Sequence, residues 1–178
     1  MESRGSTLEN MDVTTQKVHF HLKQTSEDNR GTFSKGWSHQ TCLECLTPFK
    51  PMEMFWSTSY KGTIRGFHFF PSSHGLSRLI NVISGTIRDI TFDITNENRE
   101  FFDYTLTPNS DSLFVPSNFA HGFEVLSDNA TVLYLTNQLH DQPLDKGINW
   151  RVFRGWNAEV PIVSARDDSF PTHSEGNY

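Results

Sequence analysis

An arginine and a histidine stand in an otherwise apolar stretch at residues 63–70, which reads TIRGFHFF. The stretch alternates like a strand that faces a core on one side. Arg65 and His68 are costly to bury without partners, so they either lie at the rim of the sheet or point into a polar pocket. A regular strand places residues three apart on opposite faces, so only a bulge would bring both side chains into one pocket.

Other polar side chains that could do chemistry occur on strand-like runs: Arg78, Asp89, His121 and Tyr134. His121 follows VPSNFA and precedes Gly-Phe, which predicts a position at a turn or at the start of a strand. Tyr134 ends the apolar run TVLY, where a tyrosine is usually a core residue with its hydroxyl at the edge. A lone strand histidine is more often structural than catalytic, Asp89 could simply solvate a turn, and Arg78 could pair with a surface carboxylate. These residues alone therefore establish only an all-β domain with polar groups suited to a pocket.

Short β-like runs recur along the chain between turns rich in Gly, Pro, Asn, Asp and Ser. Residues 18–22 alternate like a strand, and residues 26–37 contain a turn followed by a short strand. Further runs cover 53–60, 62–70, 76–85, 86–94, 101–108, 111–116, 122–127 and 131–137. No segment has a long helical period, and residues 143–156 have room for a short turn or two. This spacing predicts a sandwich, a barrel or a jelly roll.

The length of 178 residues suits one domain with a sizeable core, to which 15 Phe, 4 Trp and 4 Tyr contribute. We expect residues 1–16 to form a flexible arm and residues 17–178 to form the domain. A net charge of −6 with interspersed charges argues against a nucleic-acid surface, although a few arginines could still hold a small anion. No apolar run approaches the roughly 18 residues of a membrane span, and the polar N-terminus has no signal segment. We therefore predict a cytoplasmic protein with no nucleic-acid or membrane partner.

The two cysteines, Cys42 and Cys45, form a lone CLEC motif. A structural zinc site would need a second Cys or His pair at matching spacing, and none is evident in the sequence. We interpret both as ordinary thiols.

Six stretches, in the same order along the chain, resemble motifs of the dTDP-4-dehydrorhamnose 3,5-epimerase family of nucleotide-sugar epimerases. They are DNRGTF (28–33), KGTIRGFH (61–68), SGTIRDITFDI (84–94), FVPSNFAHGFEVLSDNATVLY (114–134), DKGINW (145–150) and PIVSARD (161–167). The resemblance runs from about residue 18 to residue 167, and FAHGF is its most specific part. It implies an all-β, cupin-type double-stranded β-helix, or jelly roll, with a short helical or irregular C-terminal segment.

The resemblance also implies a homodimer, because the arm near residues 18–37 packs across the partner in this family and adds to its nucleotide site. It implies neither a cofactor nor a catalytic metal. Metal-binding cupins usually carry His-x-His on this strand, whereas Phe69 and Phe70 follow His68 here.

The family's reaction, by this resemblance, is epimerisation at C3, C5 or both, beside the C4 ketone of a nucleoside-diphosphate-linked 4-keto-6-deoxy sugar. That chemistry needs a base, an enolate stabiliser and an acid on the opposite face of the sugar. His68 matches the family's base, Asp167 the carboxylate that orients it, and Tyr134 the acid. Arg78 occupies a position near the keto oxygen where the family usually has lysine, and arginine keeps the charge that this role needs.

Several other positions match substrate-binding residues of the family. His121 matches a histidine that contacts the sugar, and Asp89 is placed to fix its tautomer. Arg30 and Arg65 match residues that bind the nucleotide and its diphosphate, for which the arginine fork is suited. The remaining expected substrate-binding residues are Lys35, Glu53, Phe55, His140, Asp145 and Arg166.

The departures from the family concentrate where it binds the nucleoside. Lys35 replaces a glutamate, Glu53-Met54-Phe55 replaces Gln-Asp-Asn, and His140 aligns with a tyrosine that stacks on thymine. A reversed charge and lost amides change the hydrogen-bonding partners available to a base, which predicts CDP, GDP or UDP rather than dTDP. The alternative is that thymine is bound through different contacts.

Two other functions stay open. A nucleotide-sugar 3,4-ketoisomerase shares the enolisation step, but FAHGF and the position of Tyr134 favour the epimerase. A non-catalytic sugar-binding cupin is the second alternative. The combination of His68, Tyr134 and Asp167 argues against it, because simple binding needs no acid and base.

Overall fold

The computed structural model describes residues 17–39 and 49–172. These residues form two five-stranded sheets and a separate two-stranded hairpin, with all strand pairs antiparallel. The strands are β1 (His19–His21), β2 (Gln24–Asp28), β3 (Gly31–Lys35), β4 (Glu53–Tyr60), β5 (Ile64–Phe69), β6 (Arg78–Ser84), β7 (Ile87–Asp93), β8 (Phe101–Leu106), β9 (Ser112–Val115), β10 (Phe119–Val125), β11 (Asn129–Thr136) and β12 (Lys146–Gly147). Helical segments are two 3₁₀ turns, Gln142–Leu144 and Trp150–Val152, and the one-turn helix α1 (Ala165–Asp168).

The main core lies between the two sheets, whose strand orders are β1-β9-β6-β11-β4 and β12-β5-β10-β7-β8. Ile80 and Val132 of the first sheet share one buried cluster with Ile87 and Phe123 of the second. Burying each side chain of this size contributes about 1.5–3 kcal/mol, so the alternating apolar positions hold the sheets face to face. The all-β architecture predicted from the spacing of the strands is confirmed.

The C-terminal segment covers the outer face of the second sheet. Phe67 and Phe92 form a second buried cluster there, and Phe153 and Trp156 pack against it. The indole of Trp156 also donates a hydrogen bond to the carbonyl of Trp150 at 2.9 Å. This packing fixes the irregular tail beside β5 and thereby places the tail's carboxylates next to the strand that carries His68.

Most strand predictions are correct to within a few residues, and that for 53–60 is confirmed at both ends. The position predicted for His121, at a turn or strand start, is off by two residues, because His121 is the third residue of β10. The turn before it closes with a hydrogen bond from Phe119 N–H to the Pro116 carbonyl, so the strand begins earlier than its sequence predicts.

Two sequence predictions concern residues that the structure does not describe. The arm at residues 1–16 and the thiols of Cys42 and Cys45 lie outside the described ranges, as do the last residues of the proposed domain, 173–178. Within residues 17–39 and 49–172, no helix is both long and apolar enough to cross a membrane.

Candidate active site

A bulge in β5 brings Arg65 and His68 to the same pocket. Arg65 pairs with Phe123 and His68 pairs with His121, so three steps along β5 match only two along β10. The extra residue reverses the alternation that would separate the two side chains. Gly66 lies in this bulge with φ of 126°, and a Cβ there would lie 2.6 Å from the Cα of Gly122.

The pocket opens between the two sheets and has a volume of about 220 Å³. Its walls come from the inner faces of both sheets, from the β5–β6 connection, from the segment that contains the first 3₁₀ turn and from α1. The lining residues are Phe55, Ser57, Arg65, His68, Phe70, Leu76, Arg78, His121, Phe123, Tyr134, Thr136, His140, Asp145 and Arg166.

His68 lies between two carboxylates. Its Nε2 is 3.3 Å from Oδ2 of Asp167, and its Nδ1 is 3.4 Å from Oδ1 of Asp145. Burial by itself lowers the pKa of His68, but the two carboxylates outweigh it, and the pKa lies above the ordinary value of 6.5. The imidazole is therefore a stronger base than a free histidine.

Asp167 is held rigidly behind the imidazole. It lies on α1, whose N-cap Ser164 accepts the backbone N–H of Asp167 at 3.0 Å. The carboxylate also accepts the backbone N–H of Gly66 at 3.0 Å. Burial raises the pKa of Asp167, but hydrogen bonding and attraction to His68 exceed that effect and lower it overall, so the group is ionised at neutral pH.

The inner part of the pocket carries a neutral histidine. Asp89, which is fully buried, approaches Nδ1 of His121 to 3.0 Å. Burial lowers the pKa of His121, and attraction to Asp89 does not fully offset this. Because the carboxylate can only accept, Nδ1 carries the proton and Nε2 is left as an acceptor.

Tyr134 is a protonated phenol in the pocket wall. Its ring stacks on Phe55 with centroids 4.9 Å apart and an interplanar angle of 20°. Burial, reinforced by the charge of Asp89, raises the pKa of Tyr134 above its ordinary value of 10. The side chain therefore holds its proton at neutral pH and can give it up only to a strong base.

Arg78 supplies an unpaired cation. It is 8% exposed, and within the described part of the chain its guanidinium makes no hydrogen bond or ion pair. Its nearest aromatic neighbour is Phe70, whose ring centroid lies 6.0 Å from Cζ. Burying an unpartnered charge is costly, and the guanidinium keeps hydrogen-bond donors that a group in the pocket could use.

A family model described as dTDP-4-dehydrorhamnose 3,5-epimerase matches residues 13–175. The chain belongs to this family. A dTDP-4-dehydrorhamnose 3,5-epimerase from Methanothermobacter thermautotrophicus is 31% identical over 127 residues, which cover 69% of this chain and 68% of that protein. The Shigella flexneri enzyme of the same name is 28% identical over 148 residues, which cover 79% of this chain and 82% of that enzyme.

The fold of the epimerase family is also found by structural comparison. The crystal structure of dTDP-4-dehydrorhamnose 3,5-epimerase from Bacillus anthracis, with TDP and PPi bound, has a TM-score of 0.79 and 26% sequence identity to this chain. The match covers 92% of this chain and 97% of that one. The predicted cupin-type jelly roll is thereby confirmed.

Most of the site residues expected of an epimerase come together in the structure. The pocket is lined by His68, Arg78 and Tyr134 of the expected catalytic set, and by the expected binding residues Phe55, Arg65, His121, His140, Asp145 and Arg166. Asp89 and Asp167 lie directly behind the two histidines. Glu53 reaches the pocket mouth indirectly, because its carboxylate accepts the backbone N–H of His140 at 2.8 Å.

Two expected binding residues lie apart from this pocket. Arg30 is at the turn of the β2–β3 hairpin, where it pairs with Asp28 at 2.6 Å, and its side chain is 86% exposed. Lys35 ends β3 and is also exposed. Within a single chain, these two residues do not join the site.

Five pocket-lining residues were not singled out as site residues from the sequence: Ser57, Phe70, Leu76, Phe123 and Thr136. Alternation could have identified three of them, because Ser57, Phe123 and Thr136 each stand two positions from an expected site residue on the same strand. Phe70 and Leu76 lie on either side of a turn between β5 and β6, where periodicity gives no direction.

Proposed function

We propose that this epimerase-family chain inverts one or both of the carbons beside the C4 ketone of a nucleoside-diphosphate-linked 4-keto-6-deoxy sugar. The observation that carries this proposal is the presence in one pocket of three groups with different acid–base properties. They are His68, whose basicity is raised by carboxylates, the protonated phenol of Tyr134 and the unpaired guanidinium of Arg78. An epimerisation through an enolate needs a base, an acid and an oxyanion stabiliser of these kinds.

His68 begins the reaction by taking the proton from C3 or C5. The electrons of the broken C–H bond form a carbon–carbon double bond to C4, and the negative charge moves to the C4 oxygen. The guanidinium of Arg78, which is 8% exposed, stabilises that charge. Asp167 keeps the imidazole oriented and stabilises it while it carries the extra proton.

Tyr134 completes the inversion by giving its phenolic proton to the same carbon from the opposite face. The carbonyl at C4 reforms, and the phenolate regains a proton from solvent. His68 releases to solvent the proton that it took from the sugar. One proton is removed and one returned, so the cycle needs no oxidant or reductant. An enolate carbon is basic enough to take a phenolic proton, whereas a carboxylate or imidazole is not.

We assign the sugar, the diphosphate and the nucleoside of the substrate to different walls of the pocket. The neutral His121 offers an acceptor to a sugar hydroxyl, and Arg65, which donates to the Ser59 hydroxyl at 2.9 Å, lies where it can bind the diphosphate. Phe55 and His140 present an apolar ring and an imidazole to the nucleoside.

The nucleotide is inferred to be CDP, GDP or UDP. The positions that carry this inference are Lys35, Glu53, Phe55 and His140, which differ from the family pattern for thymine. Calorimetric titration with dTDP, CDP, GDP and UDP tests it. Tightest binding of dTDP would show that thymine is bound through different contacts and would overturn the inference.

We also infer a homodimer in which the hairpin of each subunit reaches the partner's pocket. Every residue of β2 and β3 is exposed, including Phe33 at 65%. The outer face of the first sheet exposes the large apolar side chains Met54, Trp56 and Ile83. Exposed apolar area of this kind is typical of an interface. A partner would cover it and would bring Arg30 to a site that lacks it.

Subunit mixing tests the homodimer. His68→Asn and Arg30→Ala homodimers are each expected to have impaired sites. A mixed dimer restores one intact site if Arg30 acts in the partner's pocket, so equal mixing after dissociation returns about a quarter of the wild-type activity. No recovery, or a monomer by light scattering at micromolar concentration, would contradict the inference.

The identity of the reaction is tested by NMR of the product. An epimerase leaves the ketone at C4 and inverts a neighbouring carbon, whereas a 3,4-ketoisomerase moves the ketone to C3. A non-catalytic binder returns the sugar unchanged. His68→Asn is expected to abolish turnover and keep ligand binding.

The predicted cytoplasmic location is a separate prediction that cell fractionation tests.

A further inference from the structure

Ser57 has a buried hydroxyl that completes no hydrogen bond in the described part of the chain. It lies on β4, in the wall of the pocket. Two other buried hydroxyls of the same sheet are already bonded. Ser59 accepts from Nε of Arg65 at 2.9 Å, and Thr136 donates to the carbonyl of Gln138 at 2.8 Å. Burying a hydroxyl without a hydrogen bond is costly, and Ser57 keeps a donor that a neighbouring group could use.

The neighbour that could use this donor is Tyr134, which lies diagonally across from Ser57 on β11. Tyr134 pairs with Phe55, and Val132 pairs with Ser57. Residues two apart on a strand share a face, and diagonal neighbours across two strands are within reach of an aromatic side chain. Both side chains accordingly line the pocket.

Two aromatic neighbours restrain the phenol ring. Phe55 stacks on the ring of Tyr134 with centroids 4.9 Å apart, and His121 meets it edge-on at 6.1 Å. The tyrosine is 6% exposed, so its ring has little room to move. A ring held in this way keeps its hydroxyl in one place, which makes a fixed partner on β4 possible.

The groups around the phenol act on its ionisation in opposite directions. Burial raises the pKa of Tyr134 most, and the charge of Asp89 adds to this effect. Ser57 is foremost among the groups that lower it, ahead of Arg78 and Arg65. The arginines act through their charge, whereas Ser57 acts at short range through a hydroxyl whose proton can rotate toward the phenol oxygen.

We propose that Ser57 is a positioning residue for the acid of the epimerisation proposed above, on which this inference rests: its hydroxyl donates a hydrogen bond to the phenolate that forms when Tyr134 gives its proton to the sugar carbon. The O–H bond of the phenol breaks, a C–H bond forms, and the phenolate oxygen keeps the electron pair. Ser57 retains its own proton throughout. Its oxygen is buried, so the sugar does not reach it and its effect passes through Tyr134.

The first experiment measures the coupling of the two hydroxyls in the substrate-free protein. Tyr134 is replaced by a fluorinated tyrosine, whose phenol is acidic enough to titrate in the folded protein, and ¹⁹F NMR follows it across pH. Ser57→Ala should raise the pKa of this phenol by about 1, because a hydrogen bond to the ionised oxygen is lost. Ser57→Thr keeps a hydroxyl and should leave the pKa near its starting value. The control Thr136→Val should do the same, because the Thr136 hydroxyl donates to a backbone carbonyl instead.

The second experiment measures how the enolate divides between its two exits. In D₂O, an enolate that is reprotonated from the side of His68 returns to the starting sugar with deuterium, and one that is protonated by Tyr134 becomes the inverted sugar. At early times, the ratio of deuterated starting sugar to inverted sugar should rise about tenfold in Ser57→Ala, because the acid is weaker. Ser57→Thr should restore the ratio. A smaller amount of folded enzyme lowers both products equally, so a merely structural effect leaves the ratio unchanged.

An unchanged phenol pKa in Ser57→Ala, or an unchanged ratio of the two sugars, would overturn the proposal. The titration uses no substrate. The expected titrations with no turnover on any nucleotide sugar would therefore overturn the proposed function and leave the pairing of Ser57 with Tyr134 intact.

Discussion

Nε2 of His68 lies 3.3 Å from Oδ2 of Asp167, although the two residues are 99 positions apart in the sequence. The contact joins the bulged strand β5 to the one-turn helix α1 of the tail. The same Oδ2 accepts the backbone N–H of Gly66, so one carboxylate holds both the bulge and the imidazole. The C-terminal segment therefore supplies a carboxylate partner to the imidazole that we propose as the base, as well as covering a sheet.

Replacing Asp167 by asparagine should lower kcat about 100-fold, because the imidazole loses the charge that orients it and stabilises its protonated form. Asp168→Asn is the matched control, since Asp168 is the next residue and contacts Arg151 and Trp150 instead. That control should stay within about twofold of wild type. Steady-state kinetics check both, and an Asp167→Asn enzyme with unchanged kcat would remove Asp167 from the mechanism.

The rate should depend on the protonation of His68. In the proposed mechanism the neutral imidazole is the active base, so kcat/KM should rise with pH and level off above the pKa of His68. Two carboxylates raise that pKa above 6.5, so the midpoint of the acid limb is expected above pH 6.5. A pH profile of kcat/KM under subsaturating substrate measures it. A midpoint below 6.5 would mean that burial, which acts in the opposite direction, dominates.

Arg78 should contribute to catalysis at a cost in stability. Arg78→Met removes the proposed oxyanion stabiliser and should lower kcat by about 10²–10³-fold. It also removes an unpaired buried charge, so the free energy of unfolding should rise. Arg78→Lys, which keeps the charge, should retain much of the activity.

Activity assays and thermal unfolding of the same preparations test both parts of the Arg78 prediction. An Arg78→Met protein that is both active and less stable would show that the guanidinium is a structural group.

The effect of close packing at Gly66 on stability can be measured separately from the effect of its positive φ. Gly66→Ala places a Cβ 2.6 Å from the Cα of Gly122 and 2.9 Å from the carbonyl oxygen of His121. Gly31 has a similar φ, 121° against 126°, but a Cβ there has no atom within 4 Å. Gly31→Ala should therefore cost about 1 kcal/mol of backbone strain, and Gly66→Ala about 2–4 kcal/mol together with most of the activity.

Denaturant unfolding of the two glycine variants makes the comparison. Equal losses of unfolding free energy would mean that the contact between β5 and β10 can relax at no cost.

Alternation and turn chemistry were sufficient to predict the strands, since one face of each central strand lies against a core. The bulge in β5 was not predictable in this way. It depends on the close approach of Gly66 and Gly122, which lie on strands that are neighbours in the sheet but distant in sequence. From the sequence of β5 alone, regular alternation would place Arg65 and His68 on opposite faces of the sheet. His121 was misplaced for a related reason, because its strand extends through pairing with two neighbours, β5 and β7.

The site required information beyond periodicity. His68, Tyr134 and Asp167 were assigned by resemblance, and the structure adds the contacts among their neighbours. The position of Asp145 over Nδ1 follows from how the tail packs, which no local pattern records. Arg30 and Lys35 remain separate from the pocket of their own chain, so their role depends on an assembly that one sequence does not describe.

Deuterium wash-in tests the central claim most directly. The protein is incubated in D₂O with dTDP-, CDP-, GDP- and UDP-linked 4-keto-6-deoxy sugars, with His68→Asn as the control, and the mass of each sugar is followed. We predict one deuterium for a single-site epimerase or two for exchange at both C3 and C5, with no gain in the His68→Asn samples. Folded protein that binds these ligands and exchanges no proton on any of them would contradict the account.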